Sequence, residues 1–244
     1  IDIPEEWFDR DLYLHIGGAK SGVYTYINGQ EVGYSEDSKN PAEFLINDFV
    51  KPGKNTLVLK IYRWSPGSYL ESQDFFRING IERDVFIWSQ PKVAVRDFNV
   101  VSTLDETYKN GVFDLSIDIR NHKDTKQNTQ VSFELIDQHG AQILASDKKI
   151  DIASNNSEIV NFRGDIKDVL TWTSEQPNLY KLIMCVQTDE DKEFVPFNVG
   201  FRKIEIKEGE YEQNGKKLRL FFVNGQPIKL KGVNIHETSI QVIM

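Results

Sequence analysis

The sequence predicts an all-β protein, and three observations support that prediction. Apolar and polar residues alternate along several segments, the dipeptide Asn-Gly occurs five times, and no long stretch places apolar residues at helical spacing. Because successive side chains of a β-strand point to opposite faces of a sheet, such alternation gives each strand one apolar and one polar face. Asn-Gly readily supplies the two positive φ angles of a tight hairpin turn. These features favour sheets built from short hairpins.

The strands with the clearest alternation lie at 56–62, 112–119 and 131–136. Their predicted core-facing residues are Leu57, Leu59, Ile61, Phe113, Leu115, Ile117, Ile119, Val131, Phe133 and Leu135. The segments YTYINGQEVGY (24–34) and LFFVNGQPIKL (220–230) are the clearest hairpins, since each has Asn-Gly between two apolar runs. Residues 40–50 have room for a single helical turn.

The chain divides into three predicted parts. Pro91 follows a strand, and a proline there ends one sheet because it lacks a backbone N–H donor. Residues 91–206 then form short strands with turns about every ten residues, which is typical of a β-sandwich. Residues 207–244 predict one or two hairpins leading to a final strand. The predicted regions are therefore 1–90, 91–206 and 207–244.

Composition argues against several classes of partner. The formal net charge is −8 and no lysine or arginine cluster is large enough to bind phosphates, so nucleic acid is not expected. No apolar run approaches the roughly 20 residues that span a bilayer, so no membrane partner is expected. No signal peptide is visible at the start of the chain, and the sequence leaves the compartment open. Cys185, the only cysteine, lies in an apolar strand and is expected to be a buried, inert thiol rather than a nucleophile.

The histidines give no sign of a catalytic or metal centre by themselves. His236-Glu237 begins like the zinc motif H-E-x-x-H, but Ile240 occupies the position of the second histidine. His15 alternates with apolar neighbours and is expected to be a structural residue rather than a ligand.

Two polar stretches are denser than a plain sandwich requires. GYSEDSKNPAEF (33–44) places Glu36, Asp37 and Ser38 in a loop, and residues 63–85 mix aromatic rings with carboxylates. Rings beside carboxylates suit a sugar, whose C–H face packs on rings while its hydroxyls donate to oxygens. An aromatic core with a salt-bridged rim is the structural alternative, and composition alone favours it.

Five segments, in this order, resemble the large β-galactosidases of glycoside hydrolase family 2. They are GYSEDSKNPAEF, RWSPGSYLESQDFFRINGIERDV, PNLYKL, VGFRKIEI and NGQPIKLKGVNIHE. The resemblance covers about residues 3–237. It implies a partial jelly-roll β-sandwich of the galactose-binding type, lacking its first strands, then an immunoglobulin-like β-sandwich, and then the first strand of a (β/α)8 barrel. The expected activity is retaining hydrolysis of terminal β-D-galactosyl residues.

The resemblance also implies roles for particular residues. Asp37 matches the aspartate that binds a sodium ion and a galactose hydroxyl, so it is expected to bind both substrate and metal. His236 matches the histidine that contacts the galactosyl group at the transition state, and Glu237 could support that loop. Magnesium is expected only in the barrel. Oligomers are common in the family, so a homo-oligomer is possible here.

The chain departs from the family at its end. After Glu237 the segment TSIQVIM does not match, and both catalytic glutamates of the family lie beyond residue 244. The resemblance therefore predicts a truncated barrel and a chain that is inactive without the missing barrel domain. Two alternatives remain: a stand-alone carbohydrate-binding or scaffold module, and part of a related β-glucuronidase or β-mannosidase.

Overall fold

The computed structural model describes residues 1–71, 78–213 and 216–234, and this part of the chain is all-β as predicted. Its strands are β1 (Asp2–Ile3), β2 (Asp11–Ile16), β3 (Ala19–Lys20), β4 (Gly22–Ile27), β5 (Gln30–Ser35), β6 (Ala42–Leu45), β7 (Gly53–Lys54), β8 (Leu57–Tyr62), β9 (Gly80–Ile81), β10 (Val85–Gln90), β11 (Val93–Leu104), β12 (Gly111–Asn121), β13 (Gln127–Ile136), β14 (Gln142–Ile152), β15 (Asn156–Ile166), β16 (Tyr180–Gln187), β17 (Lys192–Val199), β18 (Ile204–Gln213), β19 (Lys216–Val223) and β20 (Gln226–Pro227). The helical elements are two 3₁₀ turns (Glu5–Trp7 and Asn47–Phe49) and one short helix, α1 (Pro66–Glu71).

The first compact unit, residues 1–91, contains two three-stranded antiparallel sheets over one core. The strand orders are β10-β2-β6 and β5-β4-β8, and two short pairs, β1-β7 and β3-β9, flank them. Both sheets bury apolar side chains in the same cluster, which makes the unit a β-sandwich. The core residues are Ile3, Leu12, Leu14, Ile16, Ala19, Val23, Ile27 and Ile46. Leu57, Leu59 and Ile61 pack against this cluster as half-buried residues, as their alternation predicted.

The hairpin between β4 and β5 has the turn that its sequence predicts. Asn28 and Gly29 have φ angles of 51° and 84°, and the two strands pair directly on either side of them. Asn28 also donates from its side-chain amide to the backbone oxygen of Phe49 at 3.0 Å and to Asn55 Oδ1 at 2.8 Å. The turn is therefore connected to the segments on both sides of β7. The predicted helical turn within residues 40–50 is the 3₁₀ turn Asn47–Phe49.

Helix α1 is an element that apolar periodicity does not predict. It has six residues and begins at Pro66, a residue well suited to the first helical turn. The Ser65 N–H donates to Ser68 Oγ at 3.2 Å, and the Ser68 hydroxyl donates to the Ser65 oxygen at 2.7 Å. This reciprocal pair starts the helix. Residues 72–77, which follow it, lie outside the described residues.

The second compact unit, residues 92–231, is a larger sandwich. Sheets β11-β12-β15 and β14-β13-β16-β17 face each other across one core, in agreement with the predicted immunoglobulin-like sandwich. Every core-facing residue predicted on β12 and β13 is buried: Phe113, Leu115, Ile117, Ile119, Val131, Phe133 and Leu135. Phe133 contacts two other rings in this core, with centroid distances of 5.4 Å to Phe113 and 5.0 Å to Phe162.

Strands β18, β19 and β20 form a separate antiparallel sheet within the second unit. Asn224 and Gly225 make the predicted tight turn between β19 and β20, with φ angles of 51° and 76°. Tyr108 packs beside this turn, and a Cβ built on Gly225 would lie 2.7 Å from its ring. The Tyr108 hydroxyl donates to Glu205 Oε2 at 2.8 Å. Tyr108 therefore connects the β18–β20 sheet to the loop after β11.

The remaining predictions about chain organisation have different outcomes. Asn79-Gly80 is not a two-residue hairpin turn: Gly80 begins β9, which pairs with β3. Between β11 and β12 the left-handed residue is Tyr108 rather than Asn110, because the turn is longer than two residues. Asn214-Gly215 lies outside the described residues. The predicted first barrel strand would bury Leu230, Gly232, Val233 and Ile235, but residues 228–234 form no strand, and Leu230 and Val233 are 77% and 88% exposed because no described strand pairs with them. Residues 235–244 lie outside the described residues. The three-part division at 90 and 206 stays a prediction, and the contacts group residues 92–231 together.

Within the described ranges, no helix is both long and apolar enough to cross a membrane.

Candidate functional site

Asp37 lies on the exposed loop between β5 and β6, and its carboxylate organises that loop. The backbone N–H groups of Lys39 and Asn40 donate to Asp37 Oδ1 at 3.0 and 3.1 Å. The side-chain amide of Asn40 donates to Asp37 Oδ2 at 2.6 Å. Pro41 follows and favours extended backbone at Asn40, which leads the chain into β6. An aspartate carboxylate that accepts hydrogen bonds from the backbone N–H groups two and three residues later forms an Asx turn.

These hydrogen bonds keep the Asp37 carboxylate charged. The Asn40 side-chain amide has the largest effect, and with the backbone amides of Asn40 and Lys39 it lowers the pKa of Asp37 below its ordinary value. Donors that bind the ionised form stabilise it relative to the neutral acid. Asp37 is also exposed. The loop therefore presents to solvent a fixed, ionised carboxylate that can accept a hydroxyl or bind a hard cation.

The Asp37 carboxylate can supply part of the coordination that a sodium ion needs. A carboxylate has about four acceptor directions and three N–H groups use some of them, so Asp37 can supply one further oxygen contact. Among the described residues, no group of three or more His, Cys, Asp or Glu side chains could hold a metal ion. Asp37 thus fits as one ligand of a hard cation, and the described residues do not form a complete cage.

Both residues that flank Asp37 bind helix α1. The Ser38 N–H donates to Glu71 Oε1 at 3.2 Å, and the Gly67 N–H donates to Glu36 Oε2 at 3.1 Å. Glu36 also accepts from the Tyr34 hydroxyl at 2.7 Å. Burial, which is the main cause, and the hydrogen bond to Glu36 together raise the pKa of Tyr34 to about 12.

A second group of contacts holds the outer side of the loop. Lys39 Nζ lies 2.8 Å from Glu82 Oε2, and Arg83 donates to the Lys39 backbone oxygen. Gly18 packs closely here, since a Cβ at that position would lie 3.2 Å from the Ser38 oxygen. These charges form the salt-bridged rim that was the structural alternative for this polar stretch.

Two aromatic residues, Trp64 just before α1 and Tyr69 on it, are exposed rather than part of a core. Trp64 and Tyr69 are 49% and 77% exposed, and their ring centroids are 6.3 Å apart. The Arg63 guanidinium lies over the Trp64 ring at 5.5 Å. Exposed rings on and beside a helix that binds the carboxylate loop have the composition of a sugar-contact surface.

The other candidate residues are separate from this loop or lie outside the described residues. His236 and Glu237 lie outside them, so the role of His236 stays a prediction. His15 Nδ1 lies 2.9 Å from Glu43 Oε1, and the ring stacks on Phe86 at 4.5 Å, which agrees with a structural residue. Cys185 is a free thiol buried in β16, as predicted, and burial is the main cause that raises its pKa.

Cavities in the described part of the chain do not identify another catalytic centre. One cavity of about 860 Å³ lies in the second unit between Trp172, Arg202 and the β19–β20 turn. It contains none of the predicted site residues. The sequence argument missed Asn40, the main partner of Asp37, although the D-x-x-N-P pattern is a recognisable turn signal.

The family of this chain follows from domain comparisons. The family model described as "Glycosyl hydrolases family 2, sugar binding domain" matches residues 1–91. The model described as "Glycosyl hydrolases family 2" matches residues 93–202. The chain belongs to glycosyl hydrolase family 2, and its two sandwich units correspond to these two matched regions.

Among curated proteins, the chain is similar to bacterial β-galactosidases. It is 39% identical over 237 residues to a β-galactosidase of Priestia megaterium, and the aligned region covers 95% of this chain and 22% of that protein. It is 35% identical over 232 residues to a β-galactosidase of Streptococcus thermophilus, with 94% and 21% covered. The chain thus spans about a fifth of the length of these relatives.

Solved structures share the fold at low sequence identity. The Bacteroides uniformis β-glucuronidase superposes with a TM-score of 0.80 at 19% identity, covering 96% of this chain and 28% of that one. A putative β-galactosidase from Bacteroides fragilis gives a TM-score of 0.78 at 16% identity, covering 93% and 34%. At this identity the likeness shows the fold and does not distinguish substrates.

Proposed function

We propose that this chain is the sugar-binding portion of a retaining β-galactosidase and that Asp37 accepts a hydrogen bond from a galactosyl hydroxyl. The observation that supports this most directly is the Asp37 carboxylate, which is exposed, ionised and fixed by three N–H donors. An acceptor fixed before binding loses little conformational entropy when a sugar arrives. The curated relatives, all named β-galactosidases in the matches above, support the choice of galactoside.

The catalytic carboxylates are proposed to come from the rest of the enzyme. Retaining hydrolysis requires an acid/base and a nucleophile about 5–5.5 Å apart. Two carboxylates that contact the Asp37 loop or belong to it, Glu71 and Glu36, each accept a backbone N–H and hold structure instead. We therefore propose that a barrel domain supplies both catalytic glutamates and that the 244-residue chain alone does not hydrolyse galactosides. A sodium ion, where bound, would have Asp37 as one oxygen ligand. We propose further that any magnesium ion binds in the barrel domain and that the complete enzyme forms a homo-oligomer.

The experiment compares the purified chain with the product of its complete gene on aryl β-galactoside, β-glucuronide and β-mannoside. We expect turnover of the galactoside by the complete product alone. Asp37→Asn should lower its kcat/KM by about tenfold or more, since it loses a charge-assisted hydrogen bond. Asp48→Asn is the matched control, because Asp48 is exposed in the 3₁₀ turn after β6.

The other outcomes are equally informative. Preferential turnover of the glucuronide or mannoside would replace the proposed substrate. Robust hydrolysis by the 244-residue chain would refute the proposed division of labour. Galactose affinity of the isolated chain in calorimetry, without turnover by any product of the gene, would show a binding module.

A further inference from the structure

We propose that Glu36 and Glu71 are positioning residues that hold the Asp37 loop on helix α1, so that the Asp37 carboxylate is fixed before a sugar binds. This inference rests on the proposed function for its purpose, and on the contacts of the described residues for its content.

The first step concerns Ser38. It is fully buried, although its neighbours Asp37, Lys39 and Asn40 are all exposed. Its N–H donates to Glu71 Oε1, which comes from the last residue of α1, 33 positions along the chain. A buried amide needs an acceptor, and no β-strand supplies one at this position. Glu71 is therefore the acceptor that satisfies the buried Ser38 N–H.

The second step concerns Glu36, which binds on the other side of Asp37. Its Oε1 accepts from the Tyr34 hydroxyl on β5, and its Oε2 accepts from the Gly67 N–H in the first turn of α1. A Cβ at residue 67 would lie 3.3 Å from the Glu36 backbone oxygen and 3.4 Å from Glu36 Oε2. Glycine thus allows the close approach of the two backbones. Glu36 connects the end of β5 to the beginning of α1.

The two contacts together bracket Asp37. Glu36 binds the first turn of α1 and Ser38 binds its last residue, so the backbone on both sides of Asp37 is fixed to one short helix. The amides of Lys39 and Asn40 that hold the Asp37 carboxylate follow directly. Displacing Ser38 would move these donors away from Asp37. The position of the carboxylate therefore depends on Glu71 and Glu36, although neither touches it.

Stability alone does not explain this arrangement. Glu71 Oε2 and Ser38 Oγ are buried without a hydrogen-bond partner among the described residues. Burying a carboxylate oxygen and a hydroxyl in that way is unfavourable. An apolar side chain of similar size at residue 71 would avoid the cost but could not accept the Ser38 N–H. The carboxylate is thus explained by the loop it holds.

The test uses the 244-residue chain with Glu71→Ala, Glu71→Gln and Glu36→Ala, and Glu6→Ala as an exposed control. Amide hydrogen exchange is measured at Ser38, Lys39 and Asn40, and the pKa of the Asp37 carboxyl is measured by NMR. Glu71→Ala should speed exchange at all three amides by about tenfold or more, because a hydrogen bond to a charged acceptor is lost. The pKa of Asp37 should rise toward its ordinary value.

Glu71→Gln is the rescue variant. Its amide oxygen can still accept the Ser38 N–H, so exchange should stay within about threefold of the native rate. Glu36→Ala, which leaves Glu71 in place, should also speed exchange in the loop, and it decides the question if Glu71→Ala does not fold. A native Asp37 pKa and native exchange in Glu71→Ala or Glu36→Ala would overturn the proposal, as would equal effects of Glu71→Gln and Glu71→Ala.

The readouts contain no sugar, so they are separate from the proposed function. In the complete gene product, Glu71→Ala should lower the rate of galactoside hydrolysis, whereas Glu71→Gln should keep it close to the native rate. A gene product that does not accept galactosides would refute the proposed function, and the exchange and pKa results would still decide the role of Glu71.

Discussion

Phe133→Ala tests the core of the second unit. Phe133 is 2% exposed on β13, and its ring contacts Phe113 and Phe162 at centroid distances of 5.4 and 5.0 Å. Removing a buried phenylalanine side chain costs about 3–5 kcal/mol, and the loss of two ring contacts places this site in the upper part of that range. We expect the free energy of unfolding to fall by about 4 kcal/mol.

The assay is urea unfolding monitored by hydrogen exchange. Exchange of the β13 segment Gln127–Ile136 reports on the second unit, and exchange of β2, Asp11–Ile16, reports on the first unit. With a slope of about 2 kcal/mol per molar urea, the β13 midpoint should fall by about 2 M. Phe194→Ala is the matched control, because Phe194 is 58% exposed on β17 and should cost less than about 1 kcal/mol. Equal, small effects of both substitutions would refute the packing described for this core.

Three further predictions concern turns and the buried thiol. Gly225→Ala should destabilise the β19–β20 turn more than Gly29→Ala destabilises the β4–β5 turn: both glycines have positive φ, but only the Cβ at 225 would meet a tyrosine ring, and local hydrogen exchange compares them. The hydrogen bond from the Thr107 hydroxyl is the main cause that lowers the pKa of Asp105 to about 2. The ionised Asp105 carboxylate therefore stabilises the fold above about pH 4, and this stabilisation is lost as the pH falls toward 2. Asp105→Asn should therefore flatten the acid limb of the stability curve, and an unchanged limb would contradict this. Cys185 should react slowly with a thiol reagent in the native chain and rapidly in urea, because burial raises its pKa, and fast native labelling would contradict its burial.

Alternation of apolar residues predicted the inward faces of three strands, β8, β12 and β13. The inward residues of β12 and β13 are all buried, because one face of each long strand must pack on the opposite sheet whatever the rest of the chain does. The half-buried residues of β8 follow the same alternation. Period-two patterns are local, so they can be recognised from the sequence.

Turns were predicted less evenly. Asn28 and Asn224 adopt the tight-turn conformation, whereas Asn110 does not. Between β11 and β12, Asp105 accepts hydrogen bonds from Thr107 and Asn110, and this network forms a wider turn with its left-handed residue at Tyr108. A dipeptide permits a tight turn, but the register of the flanking strands decides whether it is used.

Helix α1 could not be predicted from its own residues. Six residues beginning with Pro-Gly have no apolar periodicity and are too short to be stable as an isolated helix. Its described contacts to the Asp37 loop come from Glu36 and Ser38, about thirty positions earlier in the chain. Tertiary contacts of that separation leave no mark in the local sequence.

The sequence by itself determined the fold class, the inward faces of β8, β12 and β13 and, through its resemblance to a family, the identity of Asp37 as a candidate site residue. Only the tertiary structure decided how the loop that carries this carboxylate is attached to α1. Asn40 and Lys39 bind the carboxylate directly, and the residues on either side of Asp37 bind α1. The reason is physical: apolar alternation reports burial one residue at a time, whereas the attachment of the Asp37 loop to α1 depends on hydrogen bonds between segments about thirty positions apart in sequence.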